Sequence, residues 1–251
     1  MSRIGFIGTG HIAAPMVRFL AVRGHDICVT RRSEAVSAAL AANHGARVGA
    51  PRDVLDDSDI IILCLPPQKA RDILEPLMFD TRHRIVSVMA GVSAQDLAAL
   101  CAPARSYVRT IPMGFLETGG CPLAAYGDTD MLAALFEPEN PVVPVASEAA
   151  LNAHFALCAM VPGLLDIMAT GAGWLGQKTN DATGAEFFTA QLVSGFLAAM
   201  RKDPGALARE RDALAVEGSL SRQMTQTLET HGAHSALRSA LDAIGKRLEK
   251  S

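Results

Sequence analysis

Near the amino terminus Gly8, Gly10 and Ala13 stand in the spacing G-x-G-x-x-A, directly after the apolar run Ile4-Gly5-Phe6-Ile7. Glycine at the first two positions permits a tight turn and lets backbone N–H groups approach a pyrophosphate, which then rests on the positive end of the following helix. A small third residue lets helix and strand pack closely. Gly8, Thr9, Gly10, His11 and Ile12 are therefore the candidate phosphate cradle of a dinucleotide. A second set follows at Thr30-Arg31-Arg32-Ser33. An NAD site places an acid there to accept hydrogen bonds from the ribose hydroxyls. Two guanidiniums and a hydroxyl suit a 2′-phosphate instead, so Arg31, Arg32 and Ser33 predict NADPH. Leu65, Pro66, Ala90 and Gly91 lie in loops after two further apolar runs, where they would face the nicotinamide.

These residues need a scaffold, and the pattern supplies one. Strand-like runs at 4–7, 26–30, 59–65, 84–89 and 106–110 alternate with helical stretches at about 11–22, 33–44 and 94–100. Asp59 to Leu65 is almost wholly aliphatic, as in a strand buried on both faces. Ser33 is placed to cap the second helix and Gly45 to end it. The alternation predicts an α/β fold, a Rossmann-type doubly wound parallel sheet. Pro138, Pro141 and Pro144 mark a boundary, with Ser147 as the next helix cap. Beyond it the pattern is helical throughout: 148–176, 181–201, 203–216, 219–230 and 234–249. The expected domains are 1–146, binding the dinucleotide, and 147–251, an all-α dimerisation and substrate domain.

The chain has 251 residues, 49% hydrophobic and 20% charged, with a net charge of −3. That charge gives no electrostatic footprint for nucleic acid or anionic lipid. Five scattered cysteines without a C-x-x-C pair fit a reduced, cytoplasmic setting. No signal peptide is evident, and the apolar stretch 156–168, broken by Pro162, Gly163 and Asp166, is too short to span a bilayer. His231 and His234 lack the partners of a metal site. Asp56, Asp57 and Asp59 read as a solvated turn, and Trp174, Phe187 and Phe188 as core or interface.

Several of these segments occur in the order seen in one family. The opening Ile-Gly-Phe-Ile-Gly-Thr-Gly-His-Ile-Ala, the Leu-Pro-Pro loop, Val-Met-Ala-Gly-Val-Ser, and Arg109-Thr-Ile-Pro112 resemble pyrroline-5-carboxylate reductases, as do Asp203-Pro-Gly-Ala-Leu207 and Leu228-Glu-Thr-His-Gly232. The resemblance implies NADPH-dependent reduction of a cyclic imine, pyrroline-5-carboxylate to proline or a related C=N substrate. It also implies a homodimer joined through its carboxyl-terminal helices, with substrate bound near a Ser-Pro-Gly-Gly-x-Thr motif. Here that stretch reads Val216-Glu217-Gly218-Ser219-Leu220-Ser221. Ser221 matches the threonine that holds the imine nitrogen and is the candidate catalytic residue; Gly218, Ser219 and Met113 are the candidate substrate residues. The chain departs from the family at Met113 and His11, each in place of Asn, and at Thr170 and Trp174, near its usual acids. Pro162 is retained.

Two other readings stay open. The opening and Gly24-His25 are also similar to β-hydroxyacid dehydrogenases, whose helical lysine is approached by Lys178. That lysine is displaced by one position, a turn of about 100° on a helix, which points it away. The third reading is a non-catalytic NADPH-binding sensor or scaffold protein whose substrate motif has decayed.

Overall fold

The computed structural model describes residues 1–31 and 33–249. In chain order the strands are β1 (Arg3–Ile7), β2 (Asp26–Thr30), β3 (Arg47–Gly49), β4 (Ile60–Leu63), β5 (Arg84–Ser87), β6 (Ser106–Thr110), β7 (Leu123–Gly127) and β8 (Val142–Pro144). Among the described residues they form a sheet in the order β3-β2-β1-β4-β5-β6-β7-β8. Neighbours run parallel except β6 and β7. From β1 the chain winds outward to β2 and β3, then returns to β4 on the other side of β1. That reversal opens a crevice beyond the carboxyl ends of β1 and β4.

The helices of this half are α1 (Ala13–Val22), α2 (Glu34–His44), α3 (Pro51–Asp56), α4 (Pro67–Leu74), α5 (Ala94–Leu100) and α6 (Thr129–Phe136), with a 3₁₀ turn at Gly114–Thr118. They cover both faces, so alternate side chains of β4 enter different cores. Ile60 and Ile62 join the cluster around Phe6, Leu20 and Phe136. Ile61 and Leu63 join that around Ile7, Leu74 and Leu97. Each aliphatic side chain so buried contributes roughly 1.5–3 kcal/mol relative to exposure. This is the doubly wound α/β arrangement that the alternating pattern predicts.

The second half is helical, as expected: α7 (Glu148–Cys158), α8 (Met160–Thr179), α9 (Ala182–Ala199), α10 (Ala206–Leu214), α11 (Leu220–Thr230) and α12 (Ala233–Glu249). By internal contacts the chain divides into two compact units, Met1–Phe155 with the chain end from Gly245, and Ala156–Ile244. Within the second, α8 and α9 form a hairpin. Asn180 turns the chain with φ 59°, and Asp181 caps α9 by accepting from the Gly184 N–H at 2.8 Å.

Several details differ from the sequence expectation. The stretch 148–176 is two helices rather than one: α7 ends at Cys158, and α8 starts at Met160 with Pro162 in its first turn, where the missing N–H leaves the Cys158 carbonyl without an intrahelical donor. The run Glu148–Thr179, at 32 residues, is nevertheless long and apolar enough by length and composition to cross a membrane, which corrects the judgement made on 156–168 alone. Val142-Val143 belongs to an edge strand rather than a bare linker. Ser33 stands at the cap position of α2 but makes no side-chain cap bond, whereas Ser147 Oγ does accept from the Ala150 N–H. The aspartates before β4 are more than a solvated turn: Asp59 binds Arg3 and Arg82, and Asp57 binds Arg47. Such exposed pairs contribute at most about 1 kcal/mol each.

Candidate functional site

The crevice at the β1/β4 reversal holds a cavity of about 460 Å³ lined by Thr9, Gly10, His11, Ile12, Ala13, Ser33, Cys64, Leu65, Pro66 and Val88. Seven predicted cofactor residues from three separate loops thus converge here: Thr9, Gly10, His11, Ile12, Ser33, Leu65 and Pro66. Gly8 and Arg31 line a second cavity of about 260 Å³, with Thr30, Gly49, Ala50, Pro51 and Ile73. Leu65 lines both.

The glycine loop is shaped by two demands that can be told apart. Gly8 has φ +99°, and a Cβ there would run into the Cys64 carbonyl oxygen. The close approach of β1 to β4 therefore requires glycine at that position whatever else binds. At Gly10 a Cβ would meet nothing within 4 Å. Nothing in the fold fills that space, and it opens on the cavity, so it is a cradle into which a phosphate fits. The Ala14 N–H bonds to the Gly10 carbonyl at 2.9 Å, starting the first turn of α1. Ile12, at the cap position, offers no side-chain acceptor to the orphan N–H groups of that turn.

Thr30 at the end of β2 holds the loop in place. Its hydroxyl accepts from the Gly8 N–H at 2.9 Å, and its carbonyl accepts from the Thr9 hydroxyl at 2.6 Å. Thr9 is 2% exposed, so its side chain braces the loop and leaves only its backbone to a ligand. Ser33, whose side chain makes no cap bond, is among the residues that line the cavity. Arg31 is exposed, and Arg32 lies outside the described residues. Cys64 closes the floor; burial pushes its thiol up to about 12, so it is a neutral apolar wall. Sequence reasoning missed Cys64 and Val88 as lining residues. Each directly follows a strand of the sheet, and that position beside the Leu65 and Ala90 loops is the signal that could have found them.

Ala90 and Gly91 do not line this cavity. They form the turn after Val88, with Gly91 at φ +77°. Met113 is half-buried, its side chain packed against the core around Phe6 and its N–H on Cys121 Sγ at 3.4 Å. Gly218, Ser219 and Ser221 belong to the helical unit at the start of α11. Gly218 turns the chain with φ +80°. The Ser219 hydroxyl caps α11, accepting from the Arg222 N–H at 3.0 Å and donating to the Val216 carbonyl at 2.7 Å. Ser221 is exposed in the first turn of α11, and its hydroxyl has no partner among the described residues. Lys178 is exposed in the last turn of α8.

Another polar group stands at the carboxyl end of β6. Arg109, 2% exposed, donates from Nη1 to Glu148 Oε1. Burial holds its pKa below the ordinary arginine value, and Glu148 opposes that shift.

Residues 3–91 match the family model described as NADP oxidoreductase coenzyme F420-dependent. The amino-terminal segment is similar to that family. No curated protein matches the sequence. Among solved structures, pyrroline-5-carboxylate reductase from Streptococcus pyogenes is similar over 100% of this chain and 99% of its own, with a TM-score of 0.84 at 21% identity. The chain has the pyrroline-5-carboxylate reductase fold. The Plasmodium falciparum reductase, solved with NADP bound, shares that fold at TM-score 0.82 and 14% identity, over 99% of this chain and 97% of its own. An imine reductase from Pseudomonas sp. is similar at TM-score 0.66 and 18% identity, over 99% and 92%.

Proposed function

We propose that the chain is an NADPH-dependent reductase of a C=N bond, acting on pyrroline-5-carboxylate or a related cyclic imine. The observation that carries this reading is the open cradle over Gly10, set in a cavity where the β1, β2 and β4 loops converge. The backbone N–H groups from Gly10 to Ile12 bind the pyrophosphate, and Arg31, Arg32 and Ser33 the 2′-phosphate. When bound, NADPH supplies the hydride. Leu65 and Pro66 exclude water from one side, and the Ala90-Gly91 turn borders the nicotinamide. Ser221 holds the imine nitrogen through its hydroxyl, and water delivers the proton. Met113, Gly218 and Ser219 shape the substrate pocket. No buried acid is required, because a bound imine needs only a hydrogen-bonded nitrogen and an aligned hydride.

A homodimer belongs to the same proposal. Between Ala156 and Ile244 the only apolar residues buried among those described are Ala156, Ala172, Ala185 and Ala206. Trp174, Phe187 and Phe188 are 62, 69 and 57% exposed. Helices apolar around most of their circumference are covered in a folded protein, and a second copy of the same helices provides an apolar cover. Five free cysteines fit the reducing cytoplasm.

The test is NADPH and NADH oxidation by the purified protein with pyrroline-5-carboxylate and other cyclic imines, for wild type and Ser221→Ala. The expected result is turnover of at least one imine with preference for NADPH, and a kcat about 10–100-fold lower in the variant. Turnover of imines untouched by Ser221→Ala removes that residue from the mechanism. Cofactor binding without turnover of any imine supports the sensor instead.

A further inference from the structure

The turn Met89–Ser93 is held at both ends, and the two anchors differ in kind. At its start the Val88 N–H continues the sheet ladder to the Leu63 carbonyl at 3.1 Å, and the Met89 N–H meets Ser87 Oγ at 3.3 Å. The first bond comes from the neighbouring strand β4, the second from the end of β5, the strand that leads into the turn. At its end the anchor comes from Glu148, 54 residues further along the chain. The Ala94 N–H, first of α5 and without an intrahelical acceptor, donates to Glu148 Oε1 at 2.7 Å. The same oxygen receives Arg109 Nη1. Arg109 is buried, its Nε has no partner, and Glu148 is the one acceptor found for its guanidinium among the described residues. A carboxylate that neutralises a buried cation is not free to swing away, since breaking the pair would leave that charge unmatched. Arg109 therefore fixes Glu148, and Glu148 fixes the end of the turn.

We propose that Glu148 is a positioning residue for hydride transfer: clamped by Arg109, it sets the place of the Met89–Ser93 turn, which follows Val88 on the cavity wall and which the reading above sets beside the nicotinamide. This rests on the reductase reading above. Neither residue is hydrogen-bonded or ion-paired to the glycine loop or Arg31, so the clamp acts on the reacting ring and leaves alone the contacts that give the cofactor its affinity.

The experiment compares wild type, Glu148→Ala and Glu148→Gln as full-length protein. Three quantities are measured: kcat with the best imine, NADPH Kd together with the emission of the bound nicotinamide, and hydrogen exchange of the Gly91–Ala94 amides. Glu148→Gln keeps an oxygen for both donors and guards against loss of folding. The expected result for Glu148→Ala is a kcat about 100-fold lower, an NADPH Kd within about 3-fold of wild type because the phosphate contacts remain, altered nicotinamide emission and faster exchange confined to the turn. Glu148→Gln recovers most of the loss. The proposal is overturned by a folded Glu148→Ala with unchanged kcat, or by kcat, Kd and exchange across the whole sheet unit failing together. If wild type binds NADPH but reduces no imine, emission and exchange decide: a change confined to the turn upholds the clamp, and no change removes it. A wild type that binds no NADPH overturns reductase and clamp together, and is seen before any variant is made.

Discussion

The sheet unit and the helical unit have similar shares of apolar residues but use them in opposite ways. In β4 each of Ile60, Ile61, Ile62 and Leu63 is buried, and the neighbouring helices seal both faces. In α11 and α12 no residue is buried, and in α8 and α9 only Ala172 and Ala185 are. The first unit is finished by its own chain. The second presents large side chains where a finished domain would present charge, the surface that the proposed homodimer would cover.

The sharpest way to break this contrast is to charge the helical surface. Phe187→Asp together with Phe188→Asp should raise the dimer dissociation constant by about 1000-fold or more, as loss of central aromatic anchors does. The mass from light scattering would halve while the sheet unit keeps its fold. An unchanged mass would mean that α9 is not in the interface.

Within the sheet unit the contrast recurs between two glycines. Gly10→Ala adds a methyl group to empty space, so stability should shift by less than about 1 kcal/mol, while NADPH Kd rises by one to two orders of magnitude. Gly8→Ala should do the reverse. Its φ of +99° and the Cys64 carbonyl cost about 2 kcal/mol or more in folding, read as a lower Tm. If both variants lost stability equally, the assignment of Gly10 to a ligand would fall.

The smallest effect concerns pH. Burial holds His25 and His83 below the ordinary 6.5, helped by Arg23 and Arg82 respectively. At His83 the Asp80 N–H donates to Nδ1 at 2.8 Å, and the other ring nitrogen lies 3.2 Å from the Leu55 carbonyl; both bonds suit the neutral ring. A group whose folded pKa is depressed binds fewer protons in the native state than in the unfolded one. The stability it lends is complete above 6.5 and lost as pH falls through the lower folded value. Tm should be flat from pH 7 upward and decline by a few degrees toward pH 5; His83→Gln should flatten that decline. A Tm that rises on acidification would contradict it.

What could be seen in the sequence divides along the same line. The Gly8–Ala13 loop, the strands from β1 to β6 other than β3, and the helical second half follow from local pattern, because each is long or distinctive enough to carry its own signal. β3 and β8 are three residues each, too short for periodicity to register. The antiparallel β7 and the sheet partner of Val142-Val143 depend on pairings that no local window contains. The ion pairs of Asp57 and Asp59 were invisible for the same reason, as was the Arg109–Glu148 contact. Glu148 alone reads as an ordinary acid in a first turn. Arg109, a charge between Val108 and Thr110 in a strand, is the signal that could have prompted a search for a buried acid.

The two short outer strands have a further consequence. A sheet grows wherever an edge offers free N–H and C=O groups to an incoming chain. On one side that edge is β3, with Arg47 in it and Pro51 two residues beyond; on the other it is β8, bracketed by Pro141 and ending in Pro144. Proline supplies no donor, and three residues give a newcomer little to zip onto. Strand-by-strand growth into fibres is therefore blocked at both ends of the sheet, which lets the chain carry an apolar helical surface without offering a template for amyloid.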